Sequence, residues 1–324
     1  MKIAILGAGS WGTTLATILA ENNEEVVIWA REKEVVDGIN NSNENGKFLP
    51  GVKLAKNLKA VSDVKEAVEN AEILVAAIPC QFLREKAKEI SAGVKEGTII
   101  VNVSKGLENH TFKRMSQVLK EEISQAKVAV LSGPNHAEEV SKKIPTATVI
   151  ASKEADVKLL QKKFETDYFK VYPHNDVIGL EICGAVKNIT AIATGVIHSL
   201  GMGDNSQGAI ITLGLREMVK LGRHFGATQE TFYGIAGVGD LVATCTSELS
   251  RNRKVGGMLV KGMDFDKINE EMHGMVAEGI YTCKAVHEYA EKNNINLPLT
   301  SQVYKVLFEK KDLKNAIKDL QKLI

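Results

Sequence analysis

Apolar residues in the first half of the chain gather in short runs at Lys2 to Leu6, Glu25 to Ala30, Ile73 to Ile78, Thr98 to Val103, Lys127 to Leu131 and Thr146 to Ala151. Each has the length of a strand. Polar helical patterns separate most of them: Leu15, Ile18 and Leu19 make one stripe, and Gln81 to Ser91 and Phe112 to Ile123 read as further helices. Strands alternating with helices predict a mostly parallel, doubly wound sheet of the Rossmann type. The segment Asn45 to Gly51 reads as a loop. After about residue 176 the strand-like runs stop. Val177 to Leu200 reads as one long helix, followed by helical patterns at Leu213 to Phe225, Val255 to Leu259, Lys284 to Lys292 and Ser301 to Leu323. The expected organisation is an α/β domain over 1–176 and an all-helical C-terminal domain over 177–324.

At the switch from the first strand to the first helix stands Gly7-Ala-Gly-Ser-Trp-Gly12. Gly7 suits the tight turn, Gly9 removes a side chain that would block a pyrophosphate, and Gly12 lets helix and strand approach. A bare Gly-x-Gly-x-x-Gly is weak, but strand before and helix after is the context in which free N–H groups meet phosphates. The second strand ends Trp29-Ala-Arg31-Glu32. An arginine here favours the 2′-phosphate of NADP, whereas an acidic residue favours the NAD ribose. With Arg31 first, NADP(H) is preferred, and Glu32 keeps NAD(H) open.

The chain has 324 residues, 44% hydrophobic and 25% charged, with a net charge of +1, an ordinary globular balance without a polyanion-binding signature. Nucleic acid is therefore excluded as the expected partner. Cys80, Cys183, Cys245 and Cys283 show no Cys-x-x-Cys spacing, which fits reduced thiols and a cytoplasmic location. A strand beginning at residue 2 predicts no leader peptide. No His-Glu-x-x-His and no Tyr-x-x-x-Lys occurs, so no metal is expected and tyrosine-based dehydrogenase chemistry is disfavoured.

In doubly wound sheets the ligand lies at the carboxyl ends of the strands. There the chain carries Ser104-Lys105-Gly106 and Ser132-Gly133-Pro134-Asn135, the latter opening a helix-like stretch from His136 to Lys142. Lys105 suits an anion, and Gly133 to Asn135 can present N–H groups; a solvated lysine and a plain turn are the alternatives.

The long helix is too polar at its middle, and lacks the flanking basic residues, for a membrane span. Glu181 and Lys187 are its only charged residues, and Cys183, Gly184 and Ala191 leave room beside the ammonium. A partly buried lysine has a depressed pKa and suits a proton donor near neutral pH. Snorkelling to the surface or pairing with a carboxylate weighs equally. Cys183 reads as a small buried thiol rather than a nucleophile. Gly234 to Asp240 has glycines without a preceding strand, so it reads as a flexible loop delivering Asp240. Ser250-Arg251-Asn252-Arg253-Lys254 combines hydroxyl, guanidinium, amide and ammonium donors, the best anion site outside the glycine turn, against the plainer reading of a solvated basic face.

Taken in order, Gly7-Ala-Gly-Ser-Trp-Gly-Thr13, Phe48-Leu-Pro-Gly51, Ser104-Lys-Gly106, Ser132-Gly-Pro134, Gly184-Ala-Val-Lys-Asn188, Gly237-Val-Gly-Asp-Leu241 and Ser250-Arg-Asn-Arg253 span nearly the full length. This pattern resembles the bacterial NAD(P)-dependent glycerol-3-phosphate dehydrogenases. The resemblance implies reduction of dihydroxyacetone phosphate to sn-glycerol 3-phosphate, the precursor of glycerophospholipids. It implies dinucleotide contacts from Ser10, Trp11, Arg31, Phe48, Ala137, Val276 and Glu278 beside the glycine turn. Lys105 would touch both cofactor and substrate, and Arg251 would reach both as well. Substrate contacts would come from Gly133, Asn135, Lys187, Asp240, Ser250 and Asn252, with Lys187 as the acid/base residue. Asn135-His136 departs from the family's small hydroxyl residue followed by an aromatic.

Two rivals remain at this point: a two-domain reductase of 2-hydroxy acids, which would need a carboxylate site, and a non-catalytic NADPH-binding sensor. A small-molecule substrate is the expected partner, and a homodimer is the protein partner left open.

Overall fold

The computed structural model describes residues 1–22, 25–272 and 277–322. The chain packs as two compact units, Met1–Ser104 with Met115–Val177, and Lys105–Arg114 with Ile178–Ile324. A division between 176 and 177 makes no allowance for the excursion Lys105–Arg114.

The strands of the first unit are β1 (Lys2–Leu6), β2 (Glu25–Trp29), β3 (Glu44–Asn45), β4 (Leu49–Lys53), β5 (Lys59–Val61), β6 (Ile73–Ala76), β7 (Ile99–Asn102), β8 (Lys127–Ser132), β9 (Thr146–Ser152) and β10 (Phe169–His174). Among the described residues they form one sheet in the order β10-β9-β8-β7-β6-β1-β2-β5 and a small β3-β4 pair. All neighbours in the large sheet run parallel except β8 and β9. The chain moves outward from β1 to β2 and then returns to β6 on the other side of β1. The order therefore reverses between β1 and β6, and the turn after β1 lies at the switch point where open α/β sheets bind ligands.

Central strands such as Ile73–Ala76 and Ile99–Asn102 are buried along their whole length, as expected for strands covered on both faces. Edge strand β10 alternates, burying Phe169 and Val171 while Lys170 and Tyr172 face out, and the edge tolerates Pro173. That strand, β5 and the helices Val64–Val68 and Val157–Phe164 escape a reading based on apolar runs, because they are short or mixed.

Several boundaries differ from expectation. Asn45 to Gly51 is the turn and second strand of an antiparallel pair, not a loop. The expected Phe112 to Ile123 helix begins only at Met115, since Phe112 sits at φ 59°, outside the right-handed helical region. His136 to Lys142 shortens to Ala137–Val140, with Lys143 at φ 60°. Ser301 to Leu323 splits into Pro298–Phe308 and Leu313–Gln321; Lys310 at φ 56° ends one turn, and Asp312 caps the next by accepting from the Asn315 N–H.

Apart from the Lys105–Arg114 segment, the regular structure of the second unit is helical among its described residues and is organised on the Val177–Ser199 helix, buried continuously from Gly179 to Ile197. A helix that is apolar all round belongs inside a core, and each fully buried Ile or Leu contributes about 1.5–3 kcal/mol. The Arg251–Val260 helix crosses it at glycines: a Cβ on Gly195 would lie 2.0 Å from the Arg253 carbonyl oxygen, and one on Gly256 would lie 2.2 Å from that of Ile192. Backbone-to-backbone approach of this kind needs both positions bare. It brings the residues after Ser250 alongside the long helix.

Candidate active site

The glycine turn is built as its sequence requires. Gly7 adopts φ +115°, and a Cβ there would stand 2.6 Å from the Ala77 carbonyl oxygen. At Gly12 a Cβ would come within 2.0 Å of the Gly7 oxygen, so strand and helix cannot approach with any other residue. Gly9 faces open space. It precedes the Ser10–Glu21 helix with no side chain capping the first N–H groups, leaving them for an anion. Trp11, whose ring is 6.1 Å from Phe169, has a buried Nε1 with no hydrogen-bond partner among the described residues. A bare glycine cradle, uncapped N–H groups and an orphaned indole donor fit a dinucleotide.

The buried Asn45 amide donates to the Ala8 carbonyl (2.8 Å) and to the Thr13 hydroxyl (2.9 Å) and accepts from the Phe48 N–H (3.1 Å). Asn45, which no sequence pattern singles out, ties the β3-β4 turn, and hence Phe48, to the glycine turn. Arg31 follows β2 with its side chain 83% exposed and pairs with Glu32 at 3.0 Å. Ala137 is buried, its carbonyl accepting from Thr14 at 3.4 Å. Gly133 is packed so that a Cβ would lie 2.9 Å from Thr148, and the Asn135 amide donates to the Thr148 hydroxyl at 3.4 Å.

In the second unit three of the expected residues converge. Lys187 neither snorkels nor reaches solvent: its ammonium donates to Asp240 Oδ1 at 2.5 Å and to the Thr244 hydroxyl at 2.6 Å. Lys105 donates to the other carboxylate oxygen at 2.8 Å. Side-chain exposures of 8% for Lys187, 2% for Asp240 and 16% for Lys105 put two ammonium groups and one carboxylate in a shielded cluster. Asp240 does not ride on a loop. A π-helical turn, Ile235–Gly239, runs into the Asp240–Thr246 helix, whose first residue it is, where the helix dipole favours an anion. Thr244, one turn on, donates in turn to Asp240 Oδ1 at 3.2 Å.

Burial pushes the Lys187 pKa down, the Lys105 charge lowers it further, Asp240 raises it in part, and the result is about 8. Burial pushes Asp240 the other way, but the two ammonium groups outweigh that and hold its carboxyl below the usual range. The cluster thus carries one net positive charge and a proton that leaves near neutral pH. Burial lifts neighbouring Cys245 to about 12, which removes it as a nucleophile.

Ser250 to Asn252 is only partly a free anion site. The Ser250 hydroxyl caps the next helix by accepting from the Arg253 N–H at 3.2 Å. The Asn252 amide donates to the side-chain Oδ1 of Asn188 and accepts from the Gly279 N–H, both at 3.0 Å. Arg251 is exposed on the first turn and makes no hydrogen bond or ion pair among the described residues, so its fork is available. Glu278 opens the Glu278–Lys292 helix, half-buried; Val276 lies outside the described residues. Sequence pattern alone does not assign a role to Thr244 or Asn188, although Thr244 follows Asp240 by one helical turn and Asn188 adjoins Lys187.

Comparison with known proteins covers both units. A family model described as NAD-dependent glycerol-3-phosphate dehydrogenase N-terminus matches residues 2–158, and one described as the C-terminus of the same enzyme matches residues 176–318. Glycerol-3-phosphate dehydrogenase of the NAD(P)+ type from Clostridium botulinum strain Eklund 17B is 45% identical over 320 residues, 98% of this chain and 96% of the relative. The Listeria monocytogenes serotype 4a protein of that name is 46% identical, covering 98% of this chain and 94% of its own. Among solved structures, glycerol-3-phosphate dehydrogenase from Coxiella burnetii superposes with a TM-score of 0.94 at 39% identity, covering 99% of this chain and 98% of its own.

Proposed function

The chain belongs to the NAD-dependent glycerol-3-phosphate dehydrogenase family, and we propose that it reduces dihydroxyacetone phosphate to sn-glycerol 3-phosphate with NADPH or NADH, supplying glycerophospholipid synthesis. The observation that carries the chemistry is the buried Asp240 carboxylate held between the ammonium groups of Lys105 and Lys187.

When bound, the reduced nicotinamide supplies a hydride. The protein's own residues supply the proton and the charge. Lys187 commits N–H donors to Asp240 and Thr244, which leaves one of the three on an ammonium for the substrate oxygen. As the carbonyl becomes an alkoxide, Lys187 hands over that proton, a step suited to a group titrating at about 8. Asp240 fixes the direction of the ammonium, and Lys105 adds positive charge where negative charge develops. Arg251 takes the phosphate in its fork, with Ser250, Asn252, Gly133 and Asn135 completing the substrate contacts and Lys105 shared with the cofactor. Dinucleotide contacts fall to Gly7, Gly9, Ser10, Trp11, Gly12, Arg31, Phe48, Ala137, Arg251, Val276 and Glu278. Residues 1–176 without the 105–114 segment then form the dinucleotide domain, and 177–324 together with that segment the catalytic one.

Arg31 supports NADP(H) as the preferred cofactor, and its pairing with Glu32 keeps NAD(H) usable. The four buried free cysteines support a reducing, cytoplasmic setting. A homodimer belongs to the same proposal, and sedimentation of the purified chain checks it. The direct assay follows oxidation of NADPH and of NADH with dihydroxyacetone phosphate, unphosphorylated dihydroxyacetone and a 2-keto acid. Turnover with the phosphorylated ketone alone is expected; equal turnover of the keto acid would return the assignment to the 2-hydroxy-acid reductases.

A further inference from the structure

Lys105 reaches Asp240 from a segment with its own internal architecture. Leu107 pairs antiparallel with Arg114, the Glu108 N–H donates to the Lys113 carbonyl at 2.9 Å, and the Phe112 N–H donates to the Glu108 carbonyl at 2.9 Å. His110 at φ 66° and Phe112 at φ 59° turn the chain without a glycine. Leu107 is fully buried in the core of the second unit, and Phe112 packs edge-on to Tyr289 at 5.5 Å. The segment is therefore a closed hairpin. On its returning strand, opposite Leu107, the Arg114 guanidinium meets Glu181 of the Val177–Ser199 helix at 2.6 Å, with side-chain exposures of 11% and 2%. Glu181 and Lys187 are the charged residues of that helix, and each holds a partner bound to Lys105 or to its hairpin.

We propose that the buried Arg114–Glu181 pair positions the hairpin so that Lys105 stays on Asp240, making Arg114 and Glu181 positioning residues for proton delivery by Lys187. The inference rests on Lys187 being the proton donor. An ion pair this well buried adds little net stability against an apolar replacement, because desolvation of both charges offsets their attraction. What it supplies is a fixed location: apolar packing of Leu107 and Phe112 sets no register of its own, whereas a charge pair has one, and it acts beside the Asn188 amide that donates to the Lys105 carbonyl at 3.5 Å. The groups facing the Lys187 ammonium are the Asp240 carboxylate, the Thr244 hydroxyl and the Cys245 thiol from the Asp240–Thr246 helix, and Lys105 from the hairpin. If Lys105 moves away, its repulsion is lost, Asp240 is freed to hold Lys187 alone and water gains access. All three changes favour the charged ammonium, so the lysine should hold its proton to higher pH.

Glu181→Gln keeps the side-chain shape and an acceptor for the guanidinium; Arg114→Ala removes the link. Both are compared with wild type, alone and combined with Lys105→Met, by carbon-13 NMR of labelled lysine in the unliganded protein, with Lys187→Met assigning the signal, and by kcat and KM for dihydroxyacetone phosphate. We expect the Lys187 titration to move up by about half to one pH unit and kcat to fall about tenfold in either variant. In the Lys105→Met background the same changes should add less than about twofold, since a shared route is non-additive. An unmoved titration in folded Glu181→Gln, or an equal loss with and without Lys105, overturns the proposal. Should Arg114→Ala fail to fold, the Glu181→Gln pair decides. A moved titration without any change in kcat would instead remove Lys187 from the mechanism while leaving the positioning intact.

Discussion

A lysine buried in the middle of an apolar helix loses the solvation of its charge, and nothing in helix propensity or packing repays that loss. Asp240 answers it electrostatically, and Thr244 by hydrogen bonding. The balance leaves the ammonium with a proton it can release near neutral pH, which is the property an acid catalyst needs. Lys187→Ala should lower kcat by about 10³-fold with little change in NADPH affinity, as measured by fluorescence titration. Turnover close to wild type would take the lysine out of the chemistry. Arg251 behaves differently, being exposed and uncommitted. Arg251→Ala should raise KM for dihydroxyacetone phosphate at least about tenfold, the scale of a lost charge-assisted hydrogen bond, while leaving the weak use of dihydroxyacetone unchanged. Equal effects on both ketones would rule out a phosphate role. The sequence already made Lys187 conspicuous, because a lone cation between Gly184 and Ala191 calls for an explanation. Thr244 was not legible: a threonine in a short helix looks the same whether or not its hydroxyl meets an ammonium.

Elements were legible where one periodicity ruled. The central strands and the long helix emerge from apolar pattern alone, whereas the β3-β4 pair contains Pro50 and Gly51 and reads as a loop. The glycine turn is the most constrained element. Gly12→Ala would force a methyl group into the Gly7 carbonyl oxygen, a clash at 2.0 Å that no side-chain motion relieves. We expect a stability loss of about 1–3 kcal/mol and at least about tenfold weaker NADPH binding, read by thermal melting and titration; unchanged affinity would contradict the assigned cradle. A second element-scale device was invisible in sequence. Glu217, buried in the Gly203–His224 helix, accepts from the N–H groups of Leu299 and Thr300 and from the Thr300 hydroxyl, capping the Pro298–Phe308 helix from outside. Burial pushes its carboxyl up to about 7 against these hydrogen bonds. A carboxyl whose pKa is raised by folding contributes most below its unfolded value and loses that contribution as pH rises through 7. The wild-type advantage over Glu217→Gln should therefore shrink between pH 5 and 8, by on the order of 3 kcal/mol in denaturant unfolding. A constant difference across that range would show that Glu217 does not titrate as described.

At the scale of the whole molecule, the two-part organisation could be read from the change of texture near residue 176. The excursion that lends Lys105–Arg114 to the second unit could not. Nothing in Ser104-Lys-Gly106 says which core the next residues join; Leu107 decides it by burying itself among the helices. The consequence is chemical, since Lys105 reaches Asp240 only because its segment packs there. In the proposed mechanism Lys187, tuned by burial, Asp240 and Lys105, gives up the proton during ketone reduction. The pH dependence of kcat/KM for dihydroxyacetone phosphate at saturating NADPH, which reports the enzyme before the ketone binds, tests this step. A donor must be protonated, so a plateau at neutral pH and a tenfold fall per unit above about 8 are expected, with that limb moved upward in Lys105→Met. A rate that stays level well beyond pH 9, or a limb that Lys105→Met leaves in place, would contradict it.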